Sequence, residues 1–147
     1  MTTTSATRPL SAALSNRRTA TYGRHMSGVM LAAFTLSVVH TVYAAVEGLE
    51  DPTFTVTSPL AWGFYAVAFA VSVLARRAGR GAQATVLAFL AAVLAIGVFY
   101  YPTTFGVEKL TVFGWFENDV YLGLLMVAAY LGVQRWRGSS LTTAPEG

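Results

Sequence analysis

The sequence predicts an all-α membrane protein: four transmembrane helices in an antiparallel bundle, with both termini in the cytoplasm. Three observations lead there. Hydrophobic residues make up 54% of the 147-residue chain and charged residues only 12%, about half the charged share of a typical soluble domain. Four apolar stretches follow one another, none with Lys, Arg, Asp or Glu in its core. The basic residues then fall almost entirely on one side of the membrane that those stretches define. Mean hydropathy is +0.53. These figures exclude a disordered or collagen-like chain and argue against a water-soluble enzyme, and the length suits one domain.

Residues 1–26 are rich in Ser and Thr, carry Arg8, Arg17, Arg18 and Arg24, and contain no acid. They read as a disordered, basic, membrane-proximal tail. A transmembrane domain over 27–135 follows, with helices at about 28–46, 59–75, 82–101 and 118–134. A spanning helix needs about 20 residues, with a range of 17–25. The second and fourth segments are short, and their aromatic flanks, Trp62 and Trp115–Phe116, extend their reach to the interface. In lipid the backbone must satisfy its own hydrogen bonds, so these segments are helices. Residues 136–147 read as a second disordered cytoplasmic tail.

Charge sets the orientation. Nine basic residues (Arg8, Arg17, Arg18, Arg24, Arg76, Arg77, Arg80, Arg135 and Arg137) share one side, and Lys109 stands alone on the other. Basic flanks stay in the cytoplasm. Six of the seven acids, Glu47, Glu50, Asp51, Glu108, Glu117 and Asp119, lie on the outer side. This distribution predicts a multi-pass protein of the cell membrane, N-in and C-in. It also explains the basic pI of about 9.5 without nucleic acid as a partner. The Ala-, Gly-, Val- and Arg-rich composition suits a bacterium with GC-rich DNA.

Both outer loops contain period-two stretches, Thr53-Phe54-Thr55-Val56-Thr57 and Lys109-Leu110-Thr111-Val112-Phe113. Such alternation is a strand signal. Two readings are open: a small two-stranded β cap, or irregular aromatic loops lying on the interface. Trp62, Tyr100, Tyr101, Trp115 and Phe116, with Phe105 and Phe113, crowd this boundary. They form either an interfacial anchor or the wall of an apolar pocket.

The first helix carries Ser37, His40, Tyr43 and Glu47 at spacings of three, three and four, so they share one face. A polar stripe in lipid must face protein or water. His40 lies about 18 Å along the helix from Gly28, at 1.5 Å per residue, in the outer third of the span. Glu117, Asn118 and Asp119 make an acidic start to the fourth helix, with Tyr121 one turn on. Acids there complement the helix macrodipole, and Asn118 or Asp119 can cap. The two stripes share the outer half and can converge. A charged imidazolium there is costly, so His40 is expected to stay neutral unless Glu117 or Asp119 folds in beside it. Such a group can bond a neighbouring helix or hold a quinone-like ligand.

Other features carry less. Trp62, Tyr65, Phe69 and Ser72 share a face of the second helix and read as core. Ala84, Ala88 and Ala92 recur every four residues on the third helix, a small-residue face that permits close helix contact. Ala128 with Gly132 on the fourth helix is a weaker example. The chain contains no cysteine, which excludes disulfides, thiolate chemistry and Cys-ligated metal. His25 and His40 lie about 22 Å apart along a helix, too far to share a haem, and no metal-ligand spacing occurs. No catalytic or nucleotide-binding motif is present, and no catalytic residue is assigned. The leading expectation is a non-enzymatic accessory or self-associating subunit, packing through Ala84, Ala88 and Ala92. The alternative is a module holding a lipid-soluble ligand, a quinone or a lipid, near His40 and the outer aromatic cluster. A small transporter is third.

Overall fold

The structure is a computed structural model that describes residues 7–49, 54–100 and 112–141. Among these residues there are four helices: α1 (Thr7–Glu47), α2 (Pro59–Leu74), α3 (Arg80–Ala95), which runs on through a π-helical turn at Ile96–Tyr100, and α4 (Val112–Leu141). Among the described residues there is no strand beyond a one-residue bridge at Phe54. Of the expected strand over 53–57, the described part, 54–57, leads instead into a turn, closed by Ser58 N–H donating to the Thr55 carbonyl at 3.0 Å. Residues 109–111 of the other expected strand lie outside the described residues, and Val112 and Phe113 begin α4.

Helix limits differ from the sequence reading at both ends of the chain. α1 begins at Thr7, so residues 7–26, expected as a disordered tail, continue the first helix. Pro9 sits in the first turn, where its missing N–H costs nothing, and no glycine interrupts the run before Gly23. At 41 residues α1 is about 60 Å long, roughly twice the hydrocarbon thickness. It ends at Gly48, whose φ of 67° suits a residue without Cβ. Leu49 N–H donates to Ala44 O at 2.8 Å and Gly48 N–H to Ala45 O at 3.4 Å, the two bonds of a Schellman stop. α2 starts with Pro59 behind Ser58, whose side chain accepts from Leu60 N–H at 3.2 Å. α4 begins before the acidic triplet, so Glu117, Asn118 and Asp119 lie inside the helix and do not cap it. Its far end takes residues 136–141 into the helix as well.

Among the described residues, three helical stretches are long and apolar enough to cross a membrane: Thr19–Glu47, Arg80–Tyr100 and Phe116–Gly138. α2 is shorter, at 16 residues. Only 22–28% of each apolar window is buried within the protein. Val39, Val42, Val67, Val73, Met126 and Val127 all point outward. An exterior this apolar is a liability in water and a match for lipid.

The helices meet around Phe34, which is fully buried. Its ring touches Phe64 of α2, Phe89 of α3 and Tyr121 of α4, at centroid distances of 6.0, 5.9 and 6.2 Å. Met26, Met30 and Ala33 of α1 complete the core with Ala68, Val71, Val86, Leu90, Leu125 and Ala128. α1 packs most extensively on α4. Partners step down α4 as they step up α1: Gly23 lies against Arg135, Met26 beside Gly132, Phe34 on Tyr121, His40 on Glu117. Ala128 and Gly132 are buried in this packing. Ala84, Ala88 and Ala92 are all exposed, so the small face of α3 is not buried among the described residues.

Arginines tie the end of the fold opposite His40. Arg135, 1% exposed, donates from Nη1 to Ala75 O and from Nη2 to Arg77 O, the latter at 2.7 Å. Ala75 is the C-cap of α2, where unpaired acceptors and the negative end of the helix dipole favour a cation, and Arg77 lies in the connection just beyond it. Arg76 Nε donates to the buried Ser27 Oγ at 3.1 Å. Arg80 stacks over Trp136 at 4.5 Å. Gly23 makes the first tie fit: a Cβ there would stand 2.8 Å from Arg135 Nη1 and 2.9 Å from the backbone oxygen of Ala75.

We therefore expect Gly23→Ala to destabilise the fold by about 1–3 kcal/mol through overpacking. Gly28→Ala, where a Cβ meets nothing within 4 Å, should be neutral or stabilising by up to about 1 kcal/mol. Unfolding of both variants in mixed detergent micelles checks the contrast. Equal stabilities would remove the role assigned to the Gly23 crossing.

Candidate functional site

The polar face of α1 is divided between two neighbours. Toward α2, Ser37 and Thr41 meet Tyr65. The Tyr65 hydroxyl donates to Ser37 O at 2.9 Å and lies 2.6 Å from Thr41 Oγ1 and 3.1 Å from Ser37 Oγ. Thr41 also donates to Ser37 O, at 3.1 Å, the local bond to the carbonyl four residues back that a helical threonine makes. Tyr65 and Thr41 are buried. Tyr65 thus belongs to the core, as its stripe suggests, and its hydroxyl needs the partners α1 provides.

Toward α4, His40 Nδ1 lies 3.0 Å from Glu117 Oε2. The two side chains differ in setting: Glu117 is 3% exposed and His40 31%. Glu117 does fold in beside the ring, which is the exception named for the neutral-imidazole expectation, so that expectation does not carry over to the packed site. Glu117 Oε1 is buried with no hydrogen-bond partner among the described residues. Nε2 of His40 makes no bond to any described residue. An imidazole held through one nitrogen by a carboxylate presents its other nitrogen in a fixed direction.

The remaining expected residues are more dispersed. Tyr121, one turn beyond Glu117, lies on Phe34. Tyr43 is half-buried, while Glu47 and Asp119 are exposed. Of the aromatic group, Trp62, Tyr100 and Phe116 are exposed, and Trp62 Nε1 donates to Val56 O at 2.8 Å. Phe54 adds an unexpected ring, packed edge-on to Phe64 and Tyr65 at 5.8 Å from each. Tyr101 lies outside the described residues, and of Trp115 only the helical backbone is described. No group of three or more His, Cys, Asp or Glu is placed to hold a metal among the described residues.

Sequence reasoning passed over Thr41 and Arg135. Thr41 lies four residues beyond Ser37, on the same face, so helical spacing could have found it. Arg135 resembled any basic flank, and nothing local signals that its guanidinium turns inward.

The chain matches no protein-family model, and no curated protein or solved structure matches it.

Chemically, the pair is a hydrogen-bonding centre set among apolar helices. Removing its members should have unequal effects. His40→Leu strands a buried carboxylate and should cost about 3–5 kcal/mol. Glu117→Leu leaves a partly exposed imidazole and should cost about 1 kcal/mol. The double variant should be more stable than His40→Leu alone. A double-mutant cycle read by denaturation in detergent checks this, and additive costs would show that the two groups do not interact.

Proposed function

We propose that the protein is a multi-pass protein of a bacterial cell membrane, a four-helix bundle with both termini in the cytoplasm. In this reading the outer half of the bundle holds a lipid-soluble ligand, such as a quinone, beside His40 and Glu117. One observation carries the reading: a histidine–carboxylate pair lies among apolar helices, with one imidazole nitrogen unbonded among the described residues. Ionisable side chains in such a place are costly and mark sites where something is bound or passed on. A few convergent polar groups in an apolar setting are what a small-molecule site requires. Exposed Trp62, Phe99, Tyr100 and Phe116 supply flat apolar surface toward the same end of the chain's helices. The orientation rests on the nine-to-one segregation of basic residues.

Gentle extraction from native membranes tests the site. The wild-type protein should carry a small molecule into organic solvent, and His40→Gln should stay folded while losing at least about nine-tenths of it. A wild type that carries nothing, or a variant that keeps its load, would end the proposal. For the orientation, a reporter active only in the cytoplasm should work after Gly147 or at Gly79 and stay silent at Gly106. Activity at Gly106 would reverse the assignment.

A second reading, an accessory or self-associating subunit, is favoured by the exposure of Ala84, Ala88 and Ala92. Small residues let backbones approach in lipid, and among the described residues that face is left exposed. Ala88→Ile should then weaken association in detergent by about tenfold, while the monomer keeps its stability. Unchanged association would discard this reading.

A further inference from the structure

We propose that the end of the fold opposite His40 binds the headgroup of a net-anionic phospholipid, through the guanidinium groups of Arg76 and Arg80 at the connection between α2 and α3. The proposal rests on the membrane placement of the chain and is independent of any ligand beside His40. Arginine stays charged in a protein, so residue type alone fixes the polarity of this end. Its cations are also held in place, unlike those of an ordinary basic flank. Arg135, 1% exposed, donates to the carbonyls of Ala75 and Arg77 and so fixes the backbone on both sides of Arg76. The side chain of Arg76 is anchored as well: its Nε donates at 3.1 Å to Oγ of the fully buried Ser27. That bond leaves the two terminal nitrogens of an exposed side chain without a partner among the described residues. Arg80 is braced differently, with its guanidinium 4.5 Å from the centre of the Trp136 ring. Stacking occupies the face of the guanidinium and leaves the N–H groups at its edge.

Among the described residues, no acid shares this end of the fold. Arg24, one turn before Ser27 on α1, and Arg77 add further exposed cations. Glu47, Glu117 and Asp119 belong to the opposite end, where Glu117 meets His40. The counter-charge for these arginines is therefore left to come from outside, and their depth identifies it. The apolar stretch of α3 begins at Arg80 and that of α4 closes at Gly138, while α2 ends at Leu74, two residues before Arg76. Immediately inside this level Val73 and Val133 point outward. Cations standing where an apolar exterior ends match a molecule with a phosphate at one end and acyl chains at the other. Basic pockets between helices on the cytoplasmic side recruit anionic headgroups in this way, and arginine forks pair well with phosphate oxygens. Free phosphate would use the cations but gain nothing from the apolar walls.

The test measures binding of two probes to the full chain in maltoside micelles: phosphatidylglycerol, which is anionic, and phosphatidylcholine with the same acyl chains, which is zwitterionic. Phosphatidylglycerol should bind at least about tenfold more tightly, since each arginine near a headgroup contributes about fivefold. Arg76→Gln and Arg80→Gln should each lose about fivefold of that affinity. Arg76→Lys keeps the charge but loses the fork and the bond to Ser27, and should lose about threefold. Arg17→Gln removes the same charge about 10 Å beyond Arg24 along α1 and should stay within about twofold of the wild type. All these side chains are exposed, and thermal unfolding confirms that each variant is folded. Equal losses in Arg17→Gln and Arg76→Gln, or wild-type binding by Arg76→Lys, would overturn the site, because a diffuse positive surface would then suffice. Equal binding of the two lipids, or binding of neither, would end the proposal. Inorganic phosphate in large excess, at constant ionic strength, should leave the lipid bound; displacement would mark a free-anion site and remove the lipid assignment. None of these outcomes bears on extraction of a ligand held at His40, so the two readings stand or fall separately.

Discussion

Phe34 receives one ring from each of the other three helices, and the remaining packing is arranged around that contact. Phe64, Phe89 and Tyr121 approach it at about 6 Å in edge-on or tilted arrangements, the geometries that aromatic quadrupoles favour. With an exterior as apolar as the interior, burial of apolar surface gives helices little reason to associate in lipid. Shape and ring geometry therefore carry more of the specificity. With Phe34 in place, α1 and α4 are set in register, and Gly23, Met26 and His40 fall opposite Arg135, Gly132 and Glu117.

That register decides where each polar group finds its partner. In an apolar medium an unsatisfied donor or acceptor has no water to fall back on. Ser37 and Thr41 discharge theirs on Tyr65, and His40 discharges Nδ1 on Glu117. At the opposite end, Arg135 fills the C-cap carbonyl of α2 and one in the connection beyond it. The two ends solve one problem differently. The arginine end is tied to backbone acceptors and holds the helices together. The histidine end leaves Glu117 Oε1 buried and unfilled among the described residues, and a buried polar atom in that condition calls for an explanation.

The glycines and alanines divide along the same line. A Cβ at Gly23 would run into the Ala75 backbone oxygen and the Arg135 guanidinium, whereas one at Gly132 would meet only the ends of the Leu87 and Met26 side chains. Gly28 meets nothing within 4 Å, and the alanine ladder of α3 faces outward. A small residue in a membrane helix is thus an opportunity for close approach, taken up at some positions and left open at others.

The apolar runs, the absence of charge within them and the helical spacing of Ser37, His40 and Glu47 are local properties, set by backbone geometry and by the cost of charge in lipid. By themselves they determine the helical class, the approximate positions of the apolar helices and the presence of a polar face on α1. Helix ends are less legible: residues 7–26 look like a polar tail, yet their Ala, Leu and Arg content supports a helix once the first turn is started. Which neighbour each polar group meets is not legible at all. His40 and Glu117 stand 77 residues apart, and Arg135 lies 60 from the carbonyl it fills. Such pairings depend on how far one helix slides and turns against another, and side-chain volumes across the whole core set that. Sequence periodicity shows which face of α1 needs partners; only the packed tertiary structure decides that α2 takes two of its polar groups and α4 the third.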